Sequence, residues 1–217
     1  MNDTGAPVLT VGLLLRDRRV VVVGAGAVAL QKIEKLLQVG AHVYCVAPNV
    51  CVEIANLSAA SKIRLHQREF AEQDLNGAWF CISATGDVAV EAAVHAACEA
   101  RQLLCNAADA PAACSAYLMA QTQIGALNLA VGTGGAAPGL AGRIRTEAAA
   151  GLPADIADLI NTYAEIRRWL TETHLPGRGH SAQRGMMLRW LAGRPWAALR
   201  QSQNALRAEL IAQFGPQ

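Results

Sequence analysis

Charge, aromatic side chains and long apolar runs are all scarce in this chain of 217 residues. Charged residues make up 17% and aromatics 5%, and Lys+Arg exceed Asp+Glu by only 19 − 17 = +2. That balance excludes polybasic tails, collagen-like repeats and intrinsic disorder. The longest apolar stretch, Val20 to Leu30, is too short and too rich in glycine to span a bilayer. Met1 to Pro7 carries Asp3 and neither Lys nor Arg, so it lacks the basic start of a secretory signal. Cys45, Cys51, Cys81, Cys98, Cys105 and Cys114 form no C-x-x-C, and the five histidines include no i, i+4 pair. No metal site is therefore expected, and the cysteines read as reduced, buried thiols in a cytoplasmic protein. Basic and aromatic residues do not interleave in any nucleic-acid motif, so neither nucleic acid nor membrane is an expected partner.

What the chain does have is apolar residue, 53% of it, arranged with two different periods. Val20 to Val23 is a run without polar alternation, as in a strand buried on both faces of a parallel sheet. A glycine-rich turn and an amphipathic helix from about Val28 to Val39 follow, with Gly40 as its C-cap. Strands are expected at His42 to Ala47, Ile63 to Arg68, Trp79 to Ala84 and Leu103 to Ala107, and helices near Val50 to Ala60 and at Val88 to Ala100. This alternation predicts an α/β, Rossmann-type, doubly wound parallel sheet over residues 1–113. Ser115 to Gln123 and Ala126 to Thr133 read as an antiparallel pair joined by Ile124-Gly125. From Pro138 onward the pattern is helical: Pro138 to Ala150, Pro153 to about Leu170, a glycine-rich loop from Pro176 to Gly185, then the last helices with Trp190, Trp196, Leu199, Leu206 and Leu210. Beyond Ala164 eight arginines face only Glu165, Glu172 and Glu209, a solvated basic face or an attraction for an acidic ligand.

Gly24-Ala25-Gly26-Ala27-Val28-Ala29 matches G-x-G-x-x-G/A between strand and helix, the context a dinucleotide site requires. The first glycine makes the tight turn, the second admits a pyrophosphate, and the small Ala29 lets helix and strand approach closely. A purely structural turn is the alternative. No acid stands about 20 residues further on, where a ribose partner is expected. Asn49, after Pro48, is either that partner or a turn residue, and no arginine lies beside it to hold a 2′-phosphate, which favours NAD over NADP. Asp109 follows the fifth strand, where open α/β sheets bind ligands, and is either a proton acceptor, a metal ligand or a turn residue before Pro111. Gly132 to Pro138 is an anion cradle at a helix start or a flexible connection, with Arg143 and Arg145 just beyond.

Arg18 to Ala29, Val43 to Asn49, Cys105-Asn106-Ala107-Ala108-Asp109-Ala110-Pro111 and Ala130 to Pro138 together resemble the siroheme synthase N-terminal family, the precorrin-2 dehydrogenases. The resemblance runs in order over residues 8 to 170. It implies NAD-dependent oxidation of precorrin-2 to sirohydrochlorin, with insertion of ferrous iron as an activity of some members. It also implies a homodimer with a dinucleotide domain (1–113), a central dimerisation segment (114–150) and a helical C-terminal domain (151–217). Asp109 matches the family's essential aspartate, the general base. Cofactor contacts are expected at Gly24, Gly26, Ala27, Val28, Ala29, Pro48, Asn49, Thr85 and Asn106. Tetrapyrrole contacts are expected at Thr133, Gly134, Gly135 and Arg143, Thr133 matching a hydroxyl residue of the family's loop. The chain departs from the family at Gly86, where an acid is usual, and at Ala137, where a hydroxyl residue is common.

Overall fold

The four valines that open the pattern divide their side chains between two cores. In the computed structural model, which describes residues 8–108 and 114–215, strand β1 (Arg19–Val23) buries Val20 and Val22 against one helical layer and Val21 and Val23 against the other. The first layer holds α1 (Ala27–Gln38), through Ala29, Ile33 and Leu36, and α2 (Val52–Ala59), through Ile54. The second holds α3 (Val88–Glu99), through Val94, Ala97 and Cys98. A strand covered on both faces has no polar side to present, which is why its sequence does not alternate.

Around β1 lie β2 (His42–Val46), β3 (Arg64–His66), β4 (Phe80–Ser83) and β5 (Cys105–Ala107), all parallel, in the order β3-β2-β1-β4-β5. The order reverses between β1 and β4, so the crevice outside the carboxyl ends of those two strands is the topological switch point. The expected α/β doubly wound sheet is present, with shorter outer strands than the sequence pattern suggests. β3 stops at His66 because Gln67 and Arg68 turn away toward a 3₁₀ turn at Glu72–Leu75, where both Arg68 terminal nitrogens bond the Asp74 carboxylate at 2.8 and 2.5 Å. Asp74 also accepts from the Ala71 N–H, and its carboxyl is held below the usual carboxylate range, chiefly by the Arg68 hydrogen bonds.

The described chain divides into two compact units, residues up to 118 with 132–138, and residues 119–131 with those from 139 on. The second contains a hairpin of β6 (Ala120–Ile124) and β7 (Leu127–Val131) and the helices α4 (Pro138–Ala150) from Gly139 on, α5 (Ile156–Trp169), α6 (Ser181–Ala192), α7 (Trp196–Leu199) and α8 (Gln203–Phe214). Two expectations need correction here. The hairpin starts at Ala120, not Ser115, because Ser115 and Ala116 donate backbone N–H groups to the Cys105 carbonyl and the Ser115 hydroxyl accepts from the Cys105 N–H. Its turn is Gly125-Ala126, with Gly125 at φ +58 and Ile124 paired with Leu127, the arrangement in which glycine fills the first corner of a two-residue turn. The glycine-rich segment expected to be a loop to Gly185 is helical from Ser181, with Gly185 inside α6, where Met187 and Leu191 bury against Leu206 and Leu210 of α8. Packing of that apolar face outweighs the low helix preference of one glycine. Among the described residues no helix is long and apolar enough to cross a membrane, and none of the six cysteines is in a disulfide.

Candidate functional site

At the carboxyl end of β1 the backbone turns through Gly24 at φ +105. A Cβ there would run into the Ala84 carbonyl at the end of β4. Only glycine allows the two strand ends to approach this closely. The turn is pinned from both sides: Gly24 N–H donates to the Val46 carbonyl at 2.9 Å, Ala84 N–H to Val23 at 2.8 Å, and Cys51 N–H to Ala25 at 3.0 Å. Cys45 donates its S–H to the Gly24 carbonyl, and burial, with Cys51 adding, pushes its thiol up to about 12. Ala25 and Ala29 are buried, which seats the first turn of α1 directly on the sheet.

Gly26 meets the opposite environment. It occupies the N-cap of α1, and the space where its Cβ would point is open to at least 4 Å. Among the described residues no side chain caps this helix, and no acid stands in its first turn. By contrast Asp87 caps α3, accepting from the N–H groups of Ala89 and Val90 at 2.9 and 3.1 Å, and Ser202 caps α8. Helix α1 therefore presents N–H groups of Ala27, Val28 and Ala29 and the positive end of its dipole to the crevice, with no side chain of the described residues capping them. An open cradle lined by backbone donors fits a dinucleotide pyrophosphate.

The other sequence-expected residues fall around the same sheet edge in different ways. Pro48 and Asn49 are exposed just beyond β2, next to the glycine turn. Thr85 follows β4, and its hydroxyl closes a local turn by accepting from the Asp87 N–H at 3.1 Å. Gly86, at φ +68, gives that turn a conformation that a residue with a side chain would strain. Asn106 is buried in β5, its amide donating to the Ala116 carbonyl at 3.0 Å, so it secures the chain that returns beside β5. Cys114 adds to this by exchanging hydrogen bonds with the Ala107 N–H and carbonyl. Asp109 lies outside the described residues.

Thr133, Gly134 and Gly135 belong to the first unit. Both glycines have positive φ, +59 and +81, and the Thr133 hydroxyl accepts from the Ala137 N–H at 3.0 Å. The Thr133 hydroxyl thus closes the turn that precedes α4, and its O–H remains a donor. Arg143 belongs to the second unit, exposed on α4, where it pairs with Glu147 at 2.7 Å.

One grouping escaped the sequence reading. The sulfurs of Cys81, Cys98 and Cys105 lie within 4.8 Å of one another in the core. Spacing along the chain does not reveal it, because the three stand on β4, α3 and β5; the in-register pairing of Cys81 with Cys105 brings them together. Hydrogen bonds from Cys105 and Cys81 pull the Cys98 thiol down, while Cys81 and Cys105 themselves are pushed up.

A family model described as "Putative NAD(P)-binding" matches residues 11–120, just over half of the 217 residues. The chain belongs to this NAD(P)-binding family. The match ends near the end of the sheet, and nicotinamide dinucleotide is the cofactor its glycine turn and uncapped helix are built to hold. Among curated relatives, the siroheme synthase of Pseudomonas fluorescens (strain Pf0-1) is 39% identical over 153 residues, 70% of this chain and 33% of that protein. The siroheme synthase of Methylobacillus flagellatus is 34% identical over 170 residues, 78% of this chain and 36% of that one. The chain thus spans about a third of the length of these relatives. Among solved structures, "SirC, precorrin-2 dehydrogenase" superposes with a TM-score of 0.74 at 26% identity, covering 94% of this chain and 100% of that one.

Proposed function

We propose that this chain is an NAD-dependent precorrin-2 dehydrogenase that yields sirohydrochlorin and works as a homodimer in the cytoplasm. The similarity to SirC along the whole of that chain carries the reading, and the NAD(P)-binding family together with the open cradle at Gly26 supports it. NAD, when bound, supplies a hydride acceptor. The N–H groups of Ala27, Val28 and Ala29 hold the pyrophosphate, and Gly24 and Gly26 keep side chains out of its way. The Asn49 amide bonds a ribose hydroxyl beyond Pro48, with Thr85 and Asn106 bordering the nicotinamide side. The Arg68 guanidinium, the cation that follows β3, is committed to Asp74. It is not available for a 2′-phosphate, which favours NAD over NADP.

Oxidation of precorrin-2 removes a hydride and a proton, and the Asp109 carboxylate takes the proton. Thr133, Gly134 and Gly135 offer an O–H and backbone N–H groups to the carboxylates of the tetrapyrrole, and Arg143, exposed on the second unit, is a separate candidate contact for a carboxylate. The test is anaerobic turnover by Asp109→Ala beside the unaltered chain. The variant is expected to bind NAD normally and to lose turnover by a factor of about 10² or more. An Asp109→Ala protein with full turnover would remove the aspartate from the mechanism, and normal NAD binding without turnover in the unaltered chain would point instead to a dinucleotide-sensing module. Ferrous iron added to the sirohydrochlorin product, with and without protein, decides whether this chain also inserts the metal as a second substrate.

A further inference from the structure

The three clustered thiols sit where a packed core would be served equally well by alanine or valine, and they do not stand alone. Cys81 and Cys105 are direct partners on neighbouring parallel strands, so both sulfurs project to the same side of the sheet. Cys98 comes down on them from α3, and all three side chains are buried, at 0, 0 and 1% exposure for Cys81, Cys98 and Cys105. One turn before Cys98 on the same helix stands the half-buried His95, whose ring nitrogens lie outside the 4.8 Å group of sulfurs and whose Nδ1 is buried with no hydrogen-bond partner among the described residues. A buried ring nitrogen without a partner calls for a ligand.

We propose that Cys81, Cys98, Cys105 and His95 form a structural zinc site that ties β4 and β5 to α3. The donor set is the Cys₃His set of closed tetrahedral zinc sites. Zinc–sulfur bonds of about 2.3 Å place tetrahedral sulfurs about 3.8 Å apart, so small side-chain rotations close a triad now within 4.8 Å. Binding releases three thiol protons and leaves one net negative charge on the Zn²⁺(Cys⁻)₃(His) centre. Arg101, three residues beyond Cys98, is bonded through Nη1 to the Ala97 carbonyl at 3.0 Å and pairs with Glu72 at 3.4 Å, and places a positive charge near Cys98. A monovalent thiophilic ion would leave two negative charges in the same core, which favours a divalent one. Because the site is closed, the metal enters as the chain folds.

The site is independent of the dehydrogenase reading and its test needs no tetrapyrrole. Full-length protein is produced in zinc-supplemented and, separately, cobalt-supplemented medium, purified with a reductant, stripped of loose metal by a chelator and assayed for metal content. About one zinc per chain is expected. The cobalt form is expected to show intense thiolate-to-metal charge transfer together with the d–d bands of a tetrahedral ion. Cys98→Ala and Cys105→Ala should each abolish both signals while retaining NAD binding and the far-UV spectrum, and His95→Gln should shift the d–d bands. Either cysteine variant that folds suffices, and the cobalt spectrum of the unaltered chain stands without them. Folded protein with no zinc above the Cys98→Ala level, cobalt without thiolate charge transfer, or metal lost on Cys51→Ser but kept in Cys98→Ala would each overturn the proposal.

Discussion

Two glycines two residues apart carry opposite demands, and single substitutions separate them. Gly24→Ala places a methyl group against the Ala84 carbonyl at a backbone φ of +105, so it is expected to destabilise the first unit by about 2 kcal/mol or more. Gly26→Ala points into open space, so it should cost less than about 1 kcal/mol. Its methyl group nevertheless stands where the pyrophosphate approaches, so NAD affinity should fall at least about tenfold. Thermal melting and an NAD titration on the two variants give both numbers. Asp74 offers a separate test. Its carboxylate is almost buried and held below the usual value mainly by Arg68, so Asp74→Asn should lose about 1–3 kcal/mol near neutral pH. A depressed folded-state value means that this stability is complete above the ordinary carboxylate range and lost as pH falls through the lower value. The gap between the unaltered chain and Asp74→Asn, measured by urea unfolding, should therefore narrow in acid.

The C-terminal helices depend on a core of their own. Leu210 on α8 and Leu191 on α6 are 0 and 1% exposed within the cluster that also holds Ile166 and Leu170. Leu210→Ala is expected to lower the stability of that unit by about 2–5 kcal/mol, seen as an earlier melting of helical signal with NAD affinity unchanged. Periodicity made most of these elements legible: β1, α1, β4 and α3 appear within a residue or two of their expected bounds. α4 spans Pro138–Ala150 as expected, since Pro138 can start a helix and Gly151 follows its end. What was not legible depends on long-range contacts. The Arg68–Asp74 clasp shortens β3, the Cys105–Ser115 bonds delay β6, and packing on α8 carries α6 through Gly185. In the candidate site, the glycine turn could be read from a local motif. The engagement of Asn106 with Ala116 and the thiol cluster could not, because each joins residues from different elements.

At the scale of the whole molecule, the proposed function joins a dinucleotide-binding sheet to a reaction on a large anionic substrate. As a homodimer the protein should sediment at twice the 22.9 kDa chain mass, with or without NAD. The decisive measurement is anaerobic incubation of the purified protein with precorrin-2, following sirohydrochlorin and NADH absorbance together as NAD is supplied or withheld. Sirohydrochlorin and NADH rising in equal amounts, and only when NAD is present, is the expected result. A folded protein that binds NAD yet leaves precorrin-2 unchanged, or one that oxidises it equally well without NAD, would contradict the proposed function.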